Sequence, residues 1–126
     1  MAEDEPIRIV IVEDNKVFRE ALELLLGLRS DLQVVVSVAD GEEAVPAVEK
    51  HKPHVVLMDY RLPGLDGIEA TRALRAAYPG IAVVALTASA NRDEMRALRA
   101  AGAVATLTKD TELEAIVAAI HEAAAR

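Results

Sequence analysis

Five short apolar runs punctuate the chain: Ile7–Val12, Gln33–Val38, Val55–Met58, Ile81–Leu86 and Ala103–Leu107. Each is too short for a buried helix, and their near-continuous apolar content suits strands covered on both faces. Between them apolar residues recur every three or four positions, the helical period, behind residues able to cap a helix. Asp14 or Asn15 opens a helix through about Leu28, on which Phe18, Leu22, Leu25 and Leu28 share one face while Leu24 and Leu26 fall off that stripe. Asp40-Gly41-Glu42-Glu43 opens a second helix ending near His51. Pro46 removes one of its hydrogen bonds and crowds the carbonyl of Glu42, which predicts a distorted first turn. A third helix runs from Asp66 to about Ala77 and is stopped by Tyr78-Pro79-Gly80; a fourth runs from about Asn91 to Ala101, closed by Gly102. Thr111-Glu112-Leu113-Glu114 reads as a capping box opening a last helix, with Leu113, Ile116, Val117 and Ile120 facing inward.

Strict alternation of buried strands and helices implies a doubly wound α/β fold: a five-stranded parallel sheet with right-handed crossovers and five helices on its two faces. In the order 2-1-3-4-5, the ligand crevice lies beyond the carboxyl ends of strands one and three, where the order reverses. Those strands end in Glu13-Asp14 and in Asp59. Three carboxylates are therefore expected in one pocket.

Such a cluster either takes up protons or binds a cation, and a hard divalent ion such as magnesium suits it, with a backbone carbonyl, waters and a phosphate oxygen completing the shell. Lys109, after the fifth strand, supplies a point charge for a phosphoryl oxygen, and Thr87, ending the fourth, supplies a hydroxyl. Taken singly, Asp14 and Thr87 read equally well as helix caps and Lys109 as a surface lysine. Four of five strand ends carrying an acid, a hydroxyl or a lysine on one edge favour a site.

Over essentially its whole length the chain resembles the receiver domain of a two-component response regulator. The resemblance rests on Glu13-Asp14, the block from Met58 to Gly67 (MDYRLPGLDG), Thr87-Ala88 and Lys109, in that order. It implies a flavodoxin-like receiver fold over residues 7–126, behind a solvated lead-in of residues 1–6. It further implies that Asp59 accepts a phosphoryl group from the phosphohistidine of a histidine kinase or histidine phosphotransfer protein. Asp14 would bind magnesium directly, Glu13 largely through water, and the carbonyl of Arg61 would add a ligand. Thr87 and Lys109 would hold the phosphoryl oxygens, with Ala88 kept small and Ser89 at the rim. Arg61 and Ser89 would flank the route of the water that hydrolyses the acyl phosphate, so the domain would promote its own loading and its own autodephosphorylation.

The same resemblance points to the fourth helix, fifth strand and fifth helix as the output surface. Arg92, Arg96 and Arg99 form a basic stripe there, with Glu112 and Glu114 on the fifth helix. This stripe reads either as a solvated face with local ion pairs or as half of a charge-complementary homodimer formed on activation. Two positions depart from the family. Thr106 stands where an aromatic residue usually works with the threonine as a two-position switch, so the change is expected to be carried mainly by the loop from Ala88 to Arg92. Asp110 stands where proline often follows the lysine; a cis bond before it would cost roughly 3 kcal/mol, which leaves that geometry open. The Lys-Asp ending and the Leu-rich first helix are similar to regulators carrying a LuxR-type helix-turn-helix. Control of transcription through such an effector is expected, the chain being either a stand-alone receiver or a piece of a longer regulator.

Charge and composition narrow the remaining classes. A net charge of −7 repels phosphate backbones, and only Phe18, Tyr60 and Tyr78 are aromatic, which argues against direct nucleic-acid binding by this domain. No cysteine is present, the first residues are acidic, and no apolar run approaches a membrane span, so a soluble, cytoplasmic protein is expected. His51, His54 and His121 lack zinc spacing and read as surface residues. An aspartyl phosphatase would place a second acid two residues after its nucleophile, where this chain has Arg61. A flavin binder would need Gly, Ser or Thr in the loop after the first strand, which holds Glu13-Asp14-Asn15 instead. A receiver-like module working without phosphorylation is the remaining alternative, and the complete set of acceptor, acids, threonine and lysine weighs against it.

Overall fold

The computed structural model describes residues 5–88 and 91–126. The elements are β1 (Ile7–Val12), α1 (Lys16–Gly27), β2 (Leu32–Val38), a 3-10 turn (Gly41–Glu43), α2 (Ala44–His51), β3 (Val55–Asp59), α3 (Gly67–Ala77), β4 (Ala82–Thr87), α4 (Arg92–Ala101), β5 (Ala105–Thr108) and α5 (Leu113–Ala124). All strand pairs are parallel and the order is β2-β1-β3-β4-β5, the predicted doubly wound sheet. Among the described residues no helix is long and apolar enough to cross a membrane.

Alternate side chains of each strand point to opposite faces, which splits the core into two layers. Ile7, Ile9, Ile11, Val55, Leu57, Ala82, Val84 and Leu86 meet Leu22 and Leu26 of α1 and Ile116, Val117 and Ile120 of α5. On the other face Val10, Val12, Val56, Met58, Val83 and Ala85 meet α2, α3 and α4 through Ala44, Val48, Ala70, Leu74 and Leu98. Strands β3 and β4 are buried throughout, which is why they read as unbroken apolar runs.

The structure corrects several local readings. On α1 the core takes the row Phe18, Leu22, Leu26: Leu26 is fully buried, whereas Leu25 and Leu28 are 41% and 75% exposed. With leucine at positions 24, 25, 26 and 28, several helical faces are apolar enough to bury, and the neighbouring sheet layer selects one. The distorted start of the second helix is present as the 3-10 turn, and Pro46 falls in the first turn of α2, where its missing N–H costs least. The capping box at Thr111 does not form. Glu112 occupies the cap position without a side-chain bond, because Thr111 is drawn back to Thr108 through its own N–H and hydroxyl. The Lys109-Asp110 peptide is trans. His54 is half-buried rather than free on the surface, its Nδ1 accepting from the N–H of Arg8 at 2.9 Å, and burial lowers its pKa.

The loop from β3 to α3 is pinned at three points. Gly41 N donates to Pro63 O at 3.1 Å, Gly67 N donates to Tyr60 O at 2.7 Å, and Asp66 Oδ1 accepts from Glu69 N at 2.8 Å as the cap of α3. A Cβ at Gly67 would overlap the carbonyl oxygen of Asp59 and come within 2.8 Å of Tyr60 Cα. Backbone cannot give way as a flexible side chain can. Gly67→Ala is therefore expected to destabilise the chain by about 2 kcal/mol in denaturant unfolding. An unchanged midpoint would mean that the loop is not held as tightly as these contacts require.

Candidate functional site

The same alternation that builds the core layers carries past the strand ends. Residues 7, 9 and 11 of β1, 55 and 57 of β3, and 105 and 107 of β5 all face α1 and α5. The next members of these series are Glu13, Asp59 and Lys109, so register alone delivers two acids and a lysine to one face at the carboxyl edge.

Glu13 is 2% exposed and Asp59 5% exposed. Lys109 Nζ lies 2.7 Å from Glu13 Oε1 and 3.3 Å from Asp59 Oδ2, joining the two. The other oxygen of Glu13 accepts from the N–H of Asn15 at 3.0 Å, and its carbonyl accepts from Arg19 Nη1 at 2.8 Å. Asn15, not Asp14, caps α1, accepting from Phe18 N at 2.9 Å. Asp14 is thereby left exposed, and its carboxylate joins those of Glu13 and Asp59 with one oxygen from each lying within 4.8 Å of the others. Beside them opens a concavity of about 420 Å³ lined by Asp14, Tyr60, Arg61, Leu62, Pro63 and Asp66.

Two buried acids share one cation, and the imbalance is visible in Asp59. Burial, followed by its hydrogen bond to Glu13 and the charge there, pushes its pKa up to about 7, against the opposing pull of Lys109. Three hard oxygen donors this close, partly buried and under-neutralised, fit a divalent cation of the magnesium type.

Thr87 ends β4 as a buried residue, and its carbonyl accepts from Lys109 N at 2.8 Å, which fixes the start of the lysine's loop. Ala88 is exposed beside it; Ser89 lies outside the described residues. Thr106 is buried on the α4 side, its hydroxyl accepting from Arg99 Nε at 3.2 Å. Of the basic stripe, Arg99 is thus engaged inward, and Arg96 sits 3.9 Å from Asp93 of its own helix. Glu114 adds to the field at Arg29, which follows α1. A larger cleft of about 870 Å³ lies at the opposite edge of the sheet, among Lys52, His54, Arg75 and Tyr78, and holds none of the predicted site residues.

Sequence reasoning missed two contributors. Phe18 places its ring 4.8 Å from Lys109 Nζ, roofing the ammonium with a π face. Its signal was its position: the one aromatic residue in the first turn of the helix after the acid pair. Glu94, in the first turn of α4, reaches Arg61 at 3.5 Å, a contact between segments 33 residues apart that no local pattern announces.

Residues 9–121 match the response regulator receiver domain family. The chain is 36% identical over 114 residues to the transcriptional regulatory protein DegU of Brevibacillus brevis, covering 90% of this chain and 48% of that protein. It is 40% identical over 115 residues to the response regulator GacA of Pseudomonas protegens, covering 91% and 54%. It therefore spans about half the length of these curated relatives. Among solved structures, the signal receiver domain of the NarL regulator from Mycobacterium tuberculosis superposes with a TM-score of 0.91 at 31% identity, covering 96% of this chain and 98% of that one. A LuxR-family two-component response regulator from Aurantimonas superposes at 0.90 and 31% identity, covering 96% and 86%. Fold, carboxyl-edge geometry and family match converge: this chain belongs to the response regulator receiver domains of two-component signalling.

Proposed function

We propose that Asp59 is the phosphoacceptor of this receiver, taking a phosphoryl group from a histidine kinase or histidine phosphotransfer protein. The observation that carries the reading is the Asp59 carboxylate at the end of a central strand, 3.3 Å from the ammonium of Lys109 and clustered with Glu13 and Asp14. Phosphoryl transfer asks for a positioned nucleophile and neutralisation of spreading charge more than for acid or base help. An Asp59 oxygen attacks phosphorus as the P–N bond of the donor phosphohistidine breaks and its electron pair returns to the imidazole. Lys109 then has a phosphoryl oxygen to bind in place of an Asp59 oxygen, and the Thr87 hydroxyl, on the neighbouring strand, binds another.

Glu13, Asp14, Asp59 and the carbonyl of Arg61 are the groups that would hold magnesium, which when bound neutralises the acids and the developing phosphoryl charge. Autodephosphorylation returns the resting state. Output through α4, β5 and α5, carried mainly by the loop from Ala88 to Arg92, belongs to the same reading, as do a cytoplasmic location and transcriptional control through an effector of the kind that DegU's name implies. Homodimerisation on activation would proceed without Arg99, which is already engaged within the chain.

Two outcomes test this. Acetyl phosphate with magnesium should add one phosphoryl mass to the purified chain, and Asp59→Asn should abolish the gain; a gain that persists places the acceptor elsewhere. Without divalent metal, the raised pKa of Asp59 means that the folded state holds a proton which the unfolded state has released. The Asp59 contribution to stability should therefore fall as pH rises from about 4 to about 7, then level off. In urea unfolding from pH 4.5 to 8.5, Asp59→Asn should lack this slope and be the more stable protein at pH 8, by on the order of 2 kcal/mol. Magnesium should raise the stability of the unsubstituted chain and leave the variant nearly unchanged. Parallel pH profiles for the two would remove the charge imbalance as an explanation.

A further inference from the structure

An ion pair ties the loop beside the site to α4. Arg61 leaves the loop between β3 and α3, and Glu94 stands in the first turn of α4; Arg61 Nη2 and Glu94 Oε1 are 3.5 Å apart. The two partners are unequal. The Arg61 side chain is 77% exposed, whereas that of Glu94 is only 15% exposed, and its second oxygen, Oε2, is buried without a hydrogen-bond partner among the described residues. Glu94 is thus a fixed acceptor with capacity to spare, held also by the helix N-terminus, which favours an acid there. Arg61 is a solvated donor with one long ion-pair contact among the described residues, its guanidinium 5.7 Å from the ring centroid of Tyr60. It also lines the concavity that contains Asp14.

A 3.5 Å pair with one solvated partner is weak, and a phosphoryl group carrying close to two negative charges on Asp59, two residues before Arg61, is the stronger attractor. We propose that Glu94 is a positioning residue that competes with the phosphorylated Asp59 for Arg61 and thereby sets the lifetime of the acyl phosphate. This rests on the phosphoacceptor reading above. Hydrolysis forms a bond from phosphorus to a water oxygen and breaks the bond from phosphorus to the Asp59 oxygen. The electron pair returns to the Asp59 carboxylate, and phosphate leaves with the protons of the water. An Arg61 guanidinium seated on the phosphoryl oxygens covers the face that water must approach. Glu94 draws it off and keeps that face open. The same exchange loosens the link between the β3–α3 loop and α4, so the partner swap is felt on the helix that bears Arg92, Arg96 and Arg99.

The test uses the purified chain, loaded with acetyl phosphate and magnesium, freed of donor, and followed by intact mass as the phosphorylated species decays. Glu94→Gln keeps the size of the side chain and removes its charge; it should lengthen the lifetime about threefold, the change that a surface ion pair of ordinary strength converts to. Arg61→Ala should shorten it. In the Arg61→Ala background, Glu94→Gln should have no effect on decay, because Glu94 acts through Arg61, whereas a merely structural role in the first turn of α4 would persist without it. An unchanged lifetime in Glu94→Gln, or an effect that survives in the double variant, overturns the proposal while leaving the phosphoacceptor reading intact. Failure of the unsubstituted chain to gain mass overturns both.

Discussion

One lysine between two buried carboxylates governs this molecule. Lys109 Nζ sits 2.7 Å from Glu13 and 3.3 Å from Asp59, and both acids are almost wholly removed from water. At such separations each attraction amounts to roughly 5 kcal/mol at an effective dielectric of about 20, while burying each ion costs several kcal/mol. The arrangement survives only because other bonds share the cost: Asn15 N–H on the second oxygen of Glu13, and the ring of Phe18 beside the ammonium. Removing any strand from register would separate the three groups, since each is the next residue in an alternating series that packs the core.

That dependence explains what could be read in advance. Strand positions, the sheet order and the convergence of Glu13, Asp14, Asp59, Thr87 and Lys109 on one edge follow from local runs and topology, which the sequence writes openly. Choices made by a neighbour were hidden. Whether α1 would bury Leu25 or Leu26 depends on how the helix lies on β1 and β3, and either row is apolar. Whether Thr111 would cap α5 depends on Thr108, three residues earlier but on the sheet. Which residue caps α1 had a functional consequence: with Asn15 in that role, Asp14 keeps its oxygens for the cluster.

The α4 side shows how a departure from the family pattern is absorbed. A threonine at 106 leaves less side chain above β5 than an aromatic would, and the hydroxyl is instead bonded to Arg99 of α4. Side chains of Ala85 and Thr106 are direct partners in the β4–β5 register, with Thr87 one step further along the same face. The connection from the site edge to α4 is thus polar and directional where a bulky ring would act by filling space. Polar contacts of this kind respond to small displacements, because a hydrogen bond weakens steeply with angle and distance while a packed ring slides.

The surplus of negative charge also decides what the site takes up. With its pKa raised to about 7, Asp59 holds its charge at neutral pH less readily than an ordinary carboxylate does. Lys109 alone does not supply enough positive charge to free the Asp59 oxygen, since Glu13 takes the shorter of its two contacts. The cluster has room for a second positive charge, and beside it opens the concavity bounded by Asp14 and Arg61. Proton uptake and cation affinity are therefore two expressions of the same electrostatic deficit: a substitution that cured the deficit within the chain, by adding a cation or deleting an acid, would relieve the repulsion among the acids and weaken the hold on a divalent ion together.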